Sequence, residues 1–99
     1  MRRGTTPTNT FSSNVDLRGA TVFVSYEQTN RIIIEKTGSD LTVTAEAVTL
    51  ELTQEDTLAF RPGEVLIQIR AVFPDGTAIA SNIIHTTAER IIKNGVIEP

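Results

Sequence analysis

Apolar and polar residues alternate in short runs along most of the chain, and turn residues separate the runs. In residues 20–28, "ATVFVSYEQ", Val22, Val24 and Tyr26 fall on one face and Thr21, Phe23, Ser25 and Glu27 on the other. A period of two is that of a strand with one buried face. The longest such run is Glu64–Phe73, and "PDG" at 74–76 follows it. Pro74 has φ fixed near the value wanted at the second position of a type I turn, Asp75 suits the third, and Gly76 takes φ > 0 without steric cost. The pattern predicts a three-residue hairpin loop with a glycine bulge. Phe73 then faces Thr77, and the pairs on one face are Ala71 with Ile79, Ile69 with Ser81 and Ile67 with Ile83. The other face pairs Arg70 with Ala80, Gln68 with Asn82 and Leu66 with Ile84. A two-residue loop would set Ile69 beside Asn82 and Gln68 beside Ile83, mixing polar with apolar on both faces, so the longer loop is preferred.

The remaining runs give shorter elements. Thr6–Ser12 predicts a first strand, with Pro7 tolerated at its start or on an edge. "RIIIEK" from Arg31 reads as a return strand after a Thr29-Asn30 turn, and its three isoleucines imply burial on both faces. "TGSD" at 37–40 is a loop signal. Leu41 and Val43 alternate at odd positions but Val48, Leu50 and Leu52 at even ones, which implies a turn near Thr44–Glu46. "LTQEDTLAF" breaks the strand period. Thr53 is suited to cap one helical turn there, with Glu55 and Asp56 near its positive end, so a short helical crossover near residues 53–58 is expected, with Leu58 and Phe60 turned inward. In the tail, Ala88, Ile91 and Ile92 lie at helical spacing and Gly95 suits a left-handed cap. Residues 87–97 therefore read as a short helix or an extended latch, and residues 1–5 as a flexible start. The whole is an all-β pattern, an antiparallel sandwich or barrel, in a single domain spanning 1–99.

Composition narrows the function. A formal charge of −3 and a pI near 5.0, with one Tyr and no Trp, offer neither the basic field nor the stacking surface that nucleic-acid binding needs. There is no cysteine, so neither disulfides nor thiolate metal sites stabilise the fold. No apolar run approaches membrane-spanning length, and "MRRGTTPTNTF" lacks the apolar stretch of a signal peptide, so no membrane association and cytosolic synthesis are expected.

Candidate chemistry is sparse. His85 is the one histidine; Ser81 lies four residues away along an extended strand, too far to touch it, and with Asp75 makes no triad. Glu55 and Asp56 are read as cap residues rather than an acid and base pair. No loop has calcium or phosphate-binding spacing, so no metal and no cofactor are expected. Arg2 and Arg3 read as solvated charges. The informative feature is the hairpin's outer face, where apolar Leu66, Val72 and Ile84 surround polar Gln68 and Arg70. A half-apolar outer face is either covered by the chain's own tail or used for association.

"MRRGTTPT" at the start, "LTQEDTLAF" at 52–60, "VLIQIR" at 65–70, "DGTAIAS" at 75–81 and "ERIIKNGVI" at 89–97 together resemble a family. It is that of the short uncharacterised proteins encoded among tail genes in prophages of Gram-positive gut bacteria. More distantly, the order of strands, crossover and hairpin is similar to the N-terminal β-sandwich of siphophage upper baseplate proteins. The resemblance implies an immunoglobulin-like β-sandwich and a non-enzymatic structural or adaptor role in a tail or baseplate. Its partners would be other tail proteins or further copies of itself, first in the host cytoplasm and then in the virion. A free-standing carbohydrate- or ligand-binding module is the alternative, and five aromatics, four of them Phe, argue mildly against it.

Overall fold

The alternation read from the sequence becomes two antiparallel sheets. The computed structural model describes all residues, Met1–Pro99. In chain order the elements are β1 (Thr8–Ser12), β2 (Thr21–Gln28), β3 (Arg31–Thr37), β4 (Leu41–Val43), β5 (Ala47–Glu51), α1 (Gln54–Leu58), β6 (Gly63–Val72), β7 (Ala78–Ala80) and β8 (Ile84–Ala88). One sheet has the order β1-β5-β4; the other runs β3-β2-β6-β7, with β8 also on β6. The protein is an all-β sandwich. Its strand order is that of an immunoglobulin domain in which B-E-D faces C′-C-F-G.

The core lies between the sheets. Val22, Val24 and Tyr26 of β2 and Val65, Ile67, Ile69 and Ala71 of β6 pack against Val48, Leu50 and Leu52 from the β5 side. Tyr26 is fully buried, its hydroxyl accepting from Asn9 Nδ2 of β1 at 2.7 Å and its ring tilted against Phe60 at 5.9 Å. That contact joins the sheets through a polar atom, and burial raises the Tyr26 hydroxyl above its ordinary value despite the Asn9 hydrogen bond. Gln28, also buried, donates to Arg61 O at 2.7 Å and accepts from Arg61 N at 2.8 Å. It thus satisfies the backbone where the chain enters β6.

The helical crossover is present. Thr53 Oγ1 accepts from Asp56 N at 3.1 Å, and Asp56 Oδ2 accepts from Thr53 N at 2.9 Å, a reciprocal capping box. Phe60 is buried as expected, but Leu58 is only half-buried, and the residue fully enclosed is Thr57. The reason is hydrogen bonding: Thr57 Oγ1 accepts from Thr5 N at 3.1 Å and donates to Thr5 O at 2.9 Å. The start is accordingly tied down rather than loose. Arg3 donates to Leu58 O at 3.0 Å, and Arg2 pairs with Glu89 at 2.7 Å.

A further expectation, that for β3, is corrected. In β3 a bulge sets Tyr26 opposite Ile34 and Glu27 opposite Ile32, which leaves Ile33 as the extra residue. Only Ile34 is buried; Ile33 is half-buried and Ile32 faces solvent at 57 % exposure. Consecutive isoleucines thus straddle a bulge on an edge strand instead of lying between two layers. In the tail no helix forms: Thr87 and Ala88 end β8, Glu89 bridges Arg2, and the rest is irregular. Ile97 N donates to Gln54 Oε1 at 2.9 Å and Ile97 O accepts from Gln54 Nε2 at 3.1 Å, which fastens the tail to α1.

Candidate functional site

The hairpin loop is the three-residue one. Gly76 N donates to Phe73 O at 2.9 Å, Phe73 N donates to Thr77 O at 2.8 Å, and Gly76 has φ +90°. Ala71 pairs with Ile79 and Arg70 with Ala80, as expected. Beyond Ser81 the register differs. Ile69 N donates to Ser81 Oγ at 3.0 Å rather than to the Ser81 carbonyl, which instead accepts from Gln68 Nε2 at 3.0 Å. The hydroxyl stands in for the backbone, the strand breaks over 81–83, and it resumes one residue late. Ile67 therefore pairs with Ile84, not Ile83, and Leu66 with His85, not Ile84. Residues opposite one another share a face, so Ile84 belongs with inward-facing Ile67. Its assignment to the outer face was wrong. Ile83, 53 % exposed, lines the outer face in its place.

That face is an open groove of about 550 Å³. Register places its residues in rows: Thr21 with Val72 and Ala78, then Thr37, Phe23, Arg70 and Ala80. The next are Glu35 with Ser25 and Gln68, and Ile32 with Glu27, Leu66 and His85. Leu66, Gln68, Arg70 and Val72 are thus gathered where the sequence put them. Phe23, Ile32, Glu27 and Glu35 join them, although sequence reasoning did not name them as part of a site. The parity of β2 already placed Phe23 and Glu27 outward; what it lacked was the pairing of β2 with β6, which is a long-range fact.

Charge on the groove is of both signs. Ser25 Oγ donates to Glu35 Oε2 at a long 3.4 Å, whereas Arg70 and Glu27 make no intramolecular hydrogen bond or ion pair. Apart from His85 at the end of its last row, no residue after Ile83 reaches the groove. The tail is occupied with α1, so it does not cover this face.

The other candidates remain apart. His85 Nδ1 lies 3.1 Å from Glu64 Oε2, with both side chains largely in solvent. Ser81 Oγ donates to Asn82 O at 2.8 Å, and Asp75 accepts from Thr77 N at 2.8 Å within its turn. Asp56 caps α1 and meets Lys36 at 2.9 Å, while Glu55 lies exposed in the same turn. No group of three or more His, Cys, Asp or Glu could hold a metal ion, and no helix is long and apolar enough to cross a membrane.

Fold and groove together define an all-β sandwich with one open, half-apolar sheet face. No family model, no curated protein and no solved structure matches the chain.

Proposed function

We propose that the protein is a non-enzymatic structural or adaptor component of a phage or prophage tail or baseplate and acts by protein-protein association. The observation that carries this is the outer face of β3, β2, β6 and β8, apolar at Phe23, Ile32, Leu66, Val72 and Ile83 and left uncovered by the chain's own tail. Apolar area of this kind stabilises association when it is removed from water, and the interleaved charges keep the unassembled protein dispersed. The resemblance to prophage tail-region proteins supplies the setting. The protein would be made in the host cytoplasm and carried into the tail.

A ligand-binding module is the rival, because the groove's volume lies in the range of small-molecule sites and polar groups line it. Phe23 is its one aromatic residue, which is a poor platform for sugar rings. The test is an epitope-tagged copy in an induced lysogen. Labelled protein at the tail in electron micrographs of purified particles is expected. Its absence from particles, together with a raised melting temperature in a glycan panel, would favour the rival.

A further inference from the structure

The groove carries three charges, Glu27, Glu35 and Arg70, of which Arg70 and Glu27 are placed to pair with a second copy. Phe23 pairs with Arg70, Ser25 with Gln68 and Glu27 with Leu66, in that order along β2 and β6. Arg70 and Glu27 are therefore diagonal to one another, on different strands and equally far from the Ser25–Gln68 pair. A two-fold axis lying in the plane of the face, through that pair, exchanges the two positions. Resting on the reading that this face is an association surface, we infer that its occupant is a second copy of this chain, docked so that Arg70 of each copy meets Glu27 of the other.

Three observations support a copy rather than an unrelated partner. Both charges lack an intramolecular partner, and the diagonal placement supplies two identical ion pairs from one sequence, as a two-fold interface requires. The apolar groups flank the charges: Leu66 and Ile32 share the row of Glu27, and Phe23 the row of Arg70. Each ion pair would close within an apolar surround, where a guanidinium and a carboxylate interact with less screening than in open water. The size is also adequate. Eight residues of β2 at strand rise and four strands at sheet spacing give a face of roughly 27 by 19 Å, which with side-chain relief approaches the ~800 Å² per partner of a stable interface.

Sedimentation equilibrium on the intact protein tests this. The wild type is expected to dimerise, and Arg70→Glu and Glu27→Arg each to weaken the dimer by roughly 100-fold or more, because each change places two like-charged pairs in the contact. Circular dichroism should show both variants folded, since neither side chain is in the core. Mixing the two monomeric variants should restore a dimer, as both contacts are again opposite in sign, and Arg70→Glu combined with Glu27→Arg should restore it within one chain. A wild type that stays monomeric at the highest attainable concentration overturns the inference, as do variants that dimerise unchanged or a mixture that fails to associate. The two readings separate cleanly. Monomeric protein that still enters tails sinks the dimer but keeps the tail role, whereas a dimer that stays out of tails does the reverse.

Discussion

At Gly76 the hairpin turns on a single backbone angle. Its φ of +90° lies where side chains bearing a Cβ are strained, yet an added Cβ would meet nothing within 4 Å. The constraint is therefore torsional and not steric crowding by neighbours. Gly76→Val should destabilise by ~1 kcal/mol or more. Gly76→Asn should lose less, because Asn tolerates left-handed backbone. Urea denaturation of both variants checks the order; equal losses would mean that contact, not torsion, sets the cost. Thr29 and Asn30 show the same physics with residues less suited to it. Both have positive φ, 52° and 62°, as a two-residue turn between β2 and β3 demands. Ser81 is the residue that decided the most. Its hydroxyl replaced a backbone acceptor and moved every later pairing by one position.

Among the elements, α1 is the shortest complete argument, five residues held by their cap. Burial pushes the Asp56 carboxyl up, but the Thr53 N–H and Lys36 outweigh it and hold the group below its ordinary 3.8. A carboxylate depressed in the folded state contributes fully above its unfolded value and loses that contribution as pH falls through the folded one. Asp56→Asn should accordingly cost about 1 kcal/mol at neutral pH. The gap to the wild type should close on acidification below about pH 4, read by urea denaturation at several pH values. A gap independent of pH would assign the effect to shape alone. This helix was legible in the sequence because Thr53 and Asp56 are three residues apart and local rules connect them. The same holds for β2, β6 and the Pro74–Gly76 loop, whose chemistry is contained in a few neighbours. What was not legible in the sequence lies in contacts beyond a residue's immediate neighbours. The enclosure of Thr57 depends on Thr5, the latch over 87–97 depends on Gln54, and the bulge at Ile33 depends on Tyr26 across the turn. Of the candidate face, Leu66, Gln68, Arg70 and Val72 followed from parity on one strand. Ile84 was misplaced because a side-chain hydrogen bond shifted the register.

On the scale of the whole molecule, the sandwich gives β6 two sides with opposite consequences. Ile67 is buried in the core shared by both sheets, whereas the adjacent Leu66 opens onto the groove beside exposed Ile83. Leu66→Asp combined with Ile83→Asp should leave a cooperatively folded protein, because both charges remain in reach of water. It should also remove association, since charge in a contact that must be desolvated costs several kcal/mol. Ile67→Asp should unfold the chain. An unpaired carboxylate in the core costs on the order of the few kcal/mol that separate a small domain from its unfolded state. Circular dichroism reports folding; light scattering and co-purification with tails report association. The two outcomes must differ for the outer face to be a docking surface at all. If the outer double variant unfolds as Ile67→Asp does, the face is part of the core and the association reading fails. If it folds and still enters particles as the wild type does, the surface that joins this sandwich to the tail lies elsewhere on the molecule.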